Sequence, residues 1–325
     1  MHVAEALLSD GEAVVGLDIL TADSLSLKRD RISRLTHNKN FSFYNQNLSS
    51  FHQLREIFEK HKPCKVIHLA GKASVTNSAE DIEAYIEANL VLFVHIIELC
   101  SVHKVAHFMY ASSSNVYGVN SSSFFHESDN TDRPLSLYAA TKKSNEVIAH
   151  SYSNAYGLPT TGLRLFSVFG PWSSNNTVVF NFAKKILDGQ RLRLADDGQV
   201  ARDFTFIDDA VGAITSILEK IPATLESKDS NILNGAPVKI PYEILNIGSS
   251  RPVKIIDLIQ RLEIILGTKA KLESIPLQSM ELRTTAADNN KMKKTIGFDP
   301  TTSLDIGLRA SIEWFTEYYD YELGG

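Results

Sequence analysis

Tyr138 and Lys142 stand four residues apart in "YAATK". On a helix, that spacing stacks two side chains on one face. An ammonium beside a phenol favours the phenolate and lowers its pKa. A phenol tuned in this way can take a proton from a hydroxyl near neutral pH. Ser112, Ser113 and Ser114 lie upstream, where the apolar run "FMYA" breaks into "SSSNVYG". In α/β sheets, ligands bind at the carboxyl ends of strands. A serine there can hydrogen-bond the hydroxyl whose proton the tyrosine removes. Each signal has a bland counterpart: a solvated helix face for the Tyr–Lys pair, a capping loop for the serines. The serines precede Tyr138 on the next element upstream, and the two signals together point to chemistry.

"VIHLAGKASV" places Leu69, Ala70 and Gly71 just beyond a buried strand. Small residues let a cofactor pass close to the backbone, although a tight turn uses them too. Asn89 interrupts an apolar helix, and a buried amide needs partners, either backbone or cofactor. His68 reads as a satisfied core histidine. No His, Cys or carboxylate cluster has the spacing of a metal site, so no metal is expected.

The elements that must position these groups alternate along the chain. "QLREIFEKHK", the stretch from "AEDIEAYIEANL" to "SVH", and "LYAATKKSNEVIAHSYSNAYG" read as helices. "KVIHLA", "VAHFMYASSS" and "TTGLRLF" read as strands. Such alternation implies an α/β fold, a Rossmann-like doubly wound parallel sheet with helices on both faces. From "GPWSSNN" onward the segments shorten and Pro, Gly, Ser and Asn become frequent, which suggests a smaller irregular C-terminal part over the sheet edge. "ESKDSNILNGAPVK" reads as a surface loop.

The opening, "MHVAEALLSDGEAVVGLDIL", reads as a helix stopped by Gly11 and a strand over residues 13–17, buried on both faces. Asp18 ends that strand, where a dinucleotide fold uses an acid to hold the adenosine ribose hydroxyls. A first strand and a glycine-rich turn belong before such a helix. Only Met1 stands there, so the expectation is a dinucleotide unit lacking its N-terminal strand and glycine loop.

Composition sets the outer limits. The chain has 325 residues, 43% hydrophobic and 22% charged, with a formal net charge of −5. That balance argues against a general nucleic-acid binder and gives no reason to expect a membrane surface. No apolar run is read as reaching membrane-spanning length. Cys64 and Cys100, both in apolar surroundings, are expected to be buried thiols in a reducing cytoplasm rather than a disulfide.

In this order along the chain, "LDIL", "VIHLAGKASV", "EANL", "YASSSNVYG", "YAATK", "LRLFSVFGPW", "RDFTFIDD" and "LNIG" resemble the extended short-chain dehydrogenase/reductases. Within that family, the sequence is most similar to the nucleotide-sugar epimerases, specifically the UDP-glucuronate 4-epimerases. The resemblance runs from Met1 to the last helix. It implies bound NAD, a UDP-sugar substrate, transient oxidation at C4 and a homodimer formed through the two long helices. It further implies a coenzyme domain at 1–166 and a mainly substrate-binding part at 167–325, with 203–220 and 242–248 returning to the first. Tyr138 resembles the catalytic base, Lys142 the residue that tunes it and binds the nicotinamide ribose, and Ser113 the hydroxyl-bonding serine. Asp18, Asn47, Leu69, Ala70, Gly71 and Asn89 match cofactor-lining positions. Ser114 and Ser167 match positions facing the sugar. Arg202 of "RDFTF" matches an arginine that holds the UDP phosphates, and Arg283 of "MELRTT" lies near another phosphate-binding region.

There are departures. Asn47 stands where the family usually has an Asp at the adenine. Ser174 stands where glucuronate epimerases have an Arg for the sugar carboxylate. The competing reading within enzymes is a nucleotide-sugar 4,6-dehydratase, which would carry an Asp-Glu pair where this chain has Ser114 and Asn115. The competing reading outside catalysis is an inactive protein that keeps the sugar-nucleotide pocket.

Overall fold

The computed structural model describes residues 1–20, 25–45, 50–73, 81–120, 122, 124–222, 225–226, 232–233, 236–237, 239–277 and 282–322. The first part of the chain runs α1 (His2–Ser9), β1 (Val14–Asp18), α2 (Leu25–Thr36), β2 (Phe41–Asn45), α3 (Phe51–His61) and β3 (Lys65–His68). A long helix follows, made of α4 (Ile82–Ile86), a π turn (Glu87–Val91) and α5 (Leu92–Val102). Then come β4 (His107–Ala111), α6 (Leu137–Tyr156) and β5 (Thr160–Leu165).

The second part contains β6 (Ser167–Phe169), α7 (Val178–Leu187), β7 (Arg191–Ala195), β8 (Ala201–Phe206) and α8 (Ile207–Leu218). Four two-residue strands follow, β9 (Leu225–Glu226), β10 (Ile232–Leu233), β11 (Ala236–Pro237) and β12 (Lys239–Ile240). The chain continues as β13 (Tyr242–Ile247), β14 (Pro252–Lys254), α9 (Ile255–Leu266), β15 (Lys271–Ile275), α10 (Asn290–Ile296) and α11 (Leu304–Tyr319). The stretch expected to be a surface loop thus holds short antiparallel pairs, β10 with β11 and β9 with β12, in its described residues.

The main sheet has the order β13–β5–β4–β3, with every pairing parallel. Its centre is buried on both faces, and β4 shows why the sequence allows this. Phe108 and Tyr110 join the cluster under α3, α5 and α6, while Met109 points the other way and packs with Leu163, Leu245 and the α8 residues Ala213 and Ile217. Side chains alternate along a strand, so an unbroken apolar run feeds two cores.

β1 and β2 form a separate parallel pair. All five β1 residues are half-buried. The strand expected to be buried on both faces is therefore not. Among the described residues it is hydrogen-bonded on one side only, to β2.

Two other expectations are corrected here. The helix Ile82–Val102 is long and apolar enough to cross a membrane, by length and composition alone. In this fold Phe93, Ile97, Leu99 and Cys100 on it are buried in the sheet's core. Cys64 is exposed, in the turn that leads into β3, whereas Cys100 is buried and its thiol is pushed up by that burial.

The second part has its own core, built from Phe180, Leu192, Leu258, Leu262, Leu308 and Phe315. β8 pairs with β6 and β14 there, while α8 packs on the main sheet and β13 joins it beside β5.

Candidate active site

α6 is bounded by local signals. The Ser136 hydroxyl accepts from the Ala139 N–H at 3.1 Å, and Gly157 closes the helix in the left-handed conformation. The helix lies against the end of β4. Tyr138 and Lys142 share a buried face of it, as their spacing predicts. Ser113, buried just beyond β4, lies beside the Tyr138 phenol and pulls its pKa down. The Ser113 oxygen accepts from the backbone and side-chain N–H groups of Asn115, each at 3.2 Å.

The electrostatics differ from the sequence expectation. Burial pushes the Tyr138 phenol up, Ser113 pulls it back, and the neighbouring Tyr85 adds to the rise. The lowering expected from Lys142 does not appear. Lys142 donates to the Ala111 carbonyl at 2.9 Å, and its own pKa is lowered to about 8 by burial.

Leu69, Ala70 and Gly71 follow β3 at its carboxyl end, with Leu69 and Gly71 exposed. Gly71 has φ +147°, and a Cβ there would stand 2.8 Å from Asn89 Oδ1 and 3.5 Å from Lys142 Nζ. Asn89 sits in the π turn, a helix irregularity frequent at functional sites. Its Oδ1 accepts from Lys72 N at 2.8 Å, and its amide donates to Lys72 O and to Thr141 Oγ1, each at 3.0 Å. Thr141 in turn donates to the Tyr138 carbonyl at 2.8 Å. Both amide hydrogens of Asn89 are used within the protein. It therefore shapes the turn around Gly71 and ties it to α6.

Asp18 lies at the carboxyl end of β1, its side chain 48% exposed. Its carboxylate accepts from Lys28 Nζ at 2.8 Å and from Ile19 N at 2.7 Å. Asn47 lies outside the described residues. His68 is buried, but its Nε2 has no hydrogen-bond partner among the described residues, so it is not the satisfied histidine expected. Burial, followed by the Lys142 charge, holds its pKa down at about 3.

Ser114 opens the short helical turn after β4 and is half-buried. Ser167 begins β6, also half-buried, opposite Phe204. Arg202 and Arg283, 81 positions apart in sequence, come together in space: Ala201 N donates to the Arg283 carbonyl at 2.8 Å, and Ala201 bridges Thr284. The Arg202 guanidinium donates to the carbonyls of Ala201 and Leu282, and Arg283 makes an exposed ion pair with Asp196 at 2.7 Å.

Sequence reasoning missed a buried polar group behind the serines. Ser112 Oγ donates to Glu146 Oε1 at 2.6 Å. Arg164 holds both oxygens of Glu146 at 2.9 Å and lies over the Tyr117 ring at 4.7 Å. A lone arginine inside "TTGLRLF" was the available signal, since a charge in a buried strand requires a partner. The clamp on the loop after β6 was also missed. Trp172, at φ +65°, packs against Trp314 and Tyr318 of α11 and lies under the Arg34 guanidinium, while Arg31 donates to its carbonyl.

A parallel α/β sheet with Ser, Tyr and Lys gathered at one strand's carboxyl end defines the class of short-chain dehydrogenase/reductase-like proteins. The chain belongs to the NAD dependent epimerase/dehydratase family, whose sequence profile matches residues 1–232. It is 38% identical to Protein CapI of Staphylococcus aureus over 98% of this chain and 95% of that one. It is 35% identical to a UDP-glucuronate 4-epimerase of Thermodesulfobacterium geofontis, covering 97% of this chain and 92% of that one. Among solved structures, a Bacillus cereus UDP-glucuronic acid 4-epimerase in complex with UDP-glucuronic acid and NAD superposes with a TM-score of 0.86. Its identity is 29%, over 98% of this chain and 96% of that one.

Proposed function

We propose that this chain is an NAD-dependent UDP-sugar 4-epimerase, interconverting UDP-glucuronate and UDP-galacturonate. The observation that carries the reading is the buried Ser113–Tyr138–Lys142 cluster at the end of β4. Relatives named as UDP-glucuronate 4-epimerases, similar along almost the whole chain, support the substrate class.

The residues at hand fit NAD. The exposed turn at Gly71 offers bare backbone where any side chain would strike Asn89, and Asp18 offers a carboxylate at the neighbouring strand end. Leu69, Ala70, Gly71 and Lys142 would line the nicotinamide half, and Asp18 and Asn47 the adenosine half. What NAD supplies when bound is reversible acceptance of the hydride from the sugar's C4.

The protein's own groups handle the proton. Tyr138 Oη takes it from the 4-hydroxyl and returns it after the sugar has turned over. The Ser113 hydroxyl holds the same oxygen and, by donating to the phenolate, offsets part of the cost of its burial. Lys142, with its pKa near 8, is largely charged at neutral pH and stabilises negative charge in the pocket. Ser114 and Ser167 donate to the sugar. Arg202 and Arg283 hold the diphosphate, for which guanidinium forks are suited. Residues 1–166 serve the coenzyme and 167–325 mainly the substrate. A homodimer through the long helix and α6 is consistent with the exposed Val91, Val147 and Tyr156 there. The unpaired Cys64 and Cys100 fit a reducing cytoplasm.

A 4,6-dehydratase is disfavoured by one observation. Asn115, where that chemistry places a carboxylic acid, donates its amide to Ser113.

The test incubates the purified chain with UDP-glucuronate and added NAD and follows the sugar by NMR. UDP-galacturonate is the expected product. A 4-keto-6-deoxy sugar from UDP-glucose would replace the reading with a dehydratase, and no turnover of either nucleotide would leave a binding protein.

A further inference from the structure

Three side chains on one stripe of α6 reach three successive residues at the end of β4. Tyr138, Lys142 and Glu146 recur every four positions and are all buried. Lys142 Nζ donates to the Ala111 carbonyl at 2.9 Å. Ser112 Oγ donates to Glu146 Oε1 at 2.6 Å. Ser113 lies beside the Tyr138 phenol and lowers its pKa, while its Oγ accepts from Asn115 N and Nδ2 at 3.2 Å each. The backbone of this strand end is extended, with Ser112 N still donating to the Leu163 carbonyl of β5 at 2.8 Å. β5 also supplies Arg164, whose guanidinium grips both oxygens of Glu146 and donates to the Glu127 carbonyl at 3.2 Å.

We propose that Glu146, locked by Arg164, is a positioning residue that acts through Ser112 to hold the Ser113 hydroxyl on Tyr138. This rests on the epimerase reading of the same site. Glu146 has no part in proton transfer. Its carboxylate is aimed by Arg164 and faced by Lys143 at 3.9 Å on its own helix, while the Tyr242 hydroxyl donates to the Glu146 backbone carbonyl at 3.1 Å. Ser112 shares Oε1 with Arg164 Nε. Asn115 holds the Ser113 oxygen from one side, and the tie of Ser112 to Glu146 secures the strand end behind it. With Ser112 tied to a fixed carboxylate, the neighbouring Ser113 is presented in one orientation. The alternative is that Glu146 and Arg164 merely fill the interior as a compensated ion pair.

Ser112→Ala separates the two, because it leaves the ion pair intact. The expected result is a roughly tenfold lower kcat, about the worth of one hydrogen bond. KM for UDP-glucuronate should stay within about twofold, since sugar binding is not touched. The acidic limb of the kcat profile should move to higher pH, because the base acts as the phenolate and the phenolate loses its donor. In a Ser113→Ala background, Ser112→Ala should add nothing further, as two residues acting through one contact do not add. Ser112→Thr, which restores the hydroxyl, should recover the rate.

A second readout does not need turnover. Tyrosine labelled with 13C at Cζ, with the Tyr138 signal assigned by its loss in Tyr138→Phe, should show the same displacement in Ser112→Ala as in Ser113→Ala. An unmoved Tyr138 signal overturns the proposal. So does a kcat loss that persists in full in the Ser113→Ala background, or a lowered melting temperature with an unshifted pH profile. If the parent chain does not interconvert UDP-sugars, the function reading fails on its own, and the Tyr138 signal still decides this one.

Discussion

The carboxyl ends of β4 and β1 both carry residues proposed for the site, and the two ends are built in opposite ways. Around β4, Ser112, Ser113, Tyr138 and Lys142 are buried, and Ser112 and Lys142 tie the strand end to α6. Around β1, the strand is half-buried, has β2 as its one strand partner among the described residues, and ends in an exposed Asp18 paired with Lys28. A reacting group gains from being held in one geometry away from water. A group that only hydrogen-bonds a ribose gains less and tolerates solvent. On the proposed function, the contrast separates an end that would perform chemistry from an end that would only recognise.

The largest effect that can test this contrast is on turnover. Tyr138→Phe deletes one oxygen from the buried end and should lower kcat by about 10³-fold, within the range for lost general acid–base catalysis. UDP-glucuronate affinity by calorimetry should change little. Near-parental turnover would place the chemistry elsewhere.

Next comes a difference in local stability. Backbone amides of β4 should exchange with deuterium only through global unfolding. Those of β1 and β2 should exchange on the order of a hundredfold faster, through local opening of a two-stranded pair with little buried surface. Equal protection at the two strand ends would erase the distinction drawn here.

Lys142 gives a smaller effect with a definite sign. Its pKa in the fold is about 8 against an ordinary 10.5, because burial disfavours the ammonium. Below pH 8 both folded and unfolded chains carry the proton, and the native state bears the whole cost. Between pH 8 and 10.5 the unfolded chain binds more protons, so stability rises with pH across that window. Lys142→Met should therefore stabilise the fold at pH 7 by up to about 3 kcal/mol while abolishing activity, with the gain fading towards pH 10.5. Melting temperatures of the two proteins from pH 7 to 10.5 check this. A destabilised variant at pH 7 would mean that the bond to Ala111 outweighs the cost of burying the charge.

How much of this could be read from the chain differs between the same two regions. The β4 side was legible because periodicity and spacing carry it: an alternating apolar strand, serines at its end, and Tyr138 and Lys142 one turn apart. What the spacing could not tell was the sign on the phenol. That depends on depth of burial and on where the Lys142 ammonium points, and both are tertiary facts. Glu146 and Arg164 were missed because their partnership joins a helix to a strand, and neither residue has a local pattern. On the β1 side, the apolar run was read correctly as a strand and wrongly as fully buried. Burial depends on what lies on either side of a strand, and sequence pattern does not contain that. Asn89 was read as needing a partner, which was right, but the choice between backbone and cofactor is a matter of distances.

The smallest expected effect sharpens the comparison from the exposed end. Asp18→Asn removes one half of an ion pair whose side chains are 25% and 48% exposed. Such pairs contribute roughly 0–1 kcal/mol, because solvent screens the charges and two side chains must be held still. The melting temperature should therefore scarcely move, and kcat at saturating NAD should hold, since nothing at β4 has changed. The change should appear in the apparent KM for NAD, because an amide is a weaker acceptor for ribose hydroxyls than a carboxylate. Lys28 complicates this in a useful way. In the parent, its ammonium competes for the same oxygen that a ribose hydroxyl would use, so Lys28→Met should lower the apparent KM for NAD while Asp18→Asn raises it. Opposite shifts in KM with a common kcat would mark β1 as a recognition end only. If either variant lowered kcat as well, the two strand ends would be coupled, and the division between chemistry and recognition would have to be drawn elsewhere.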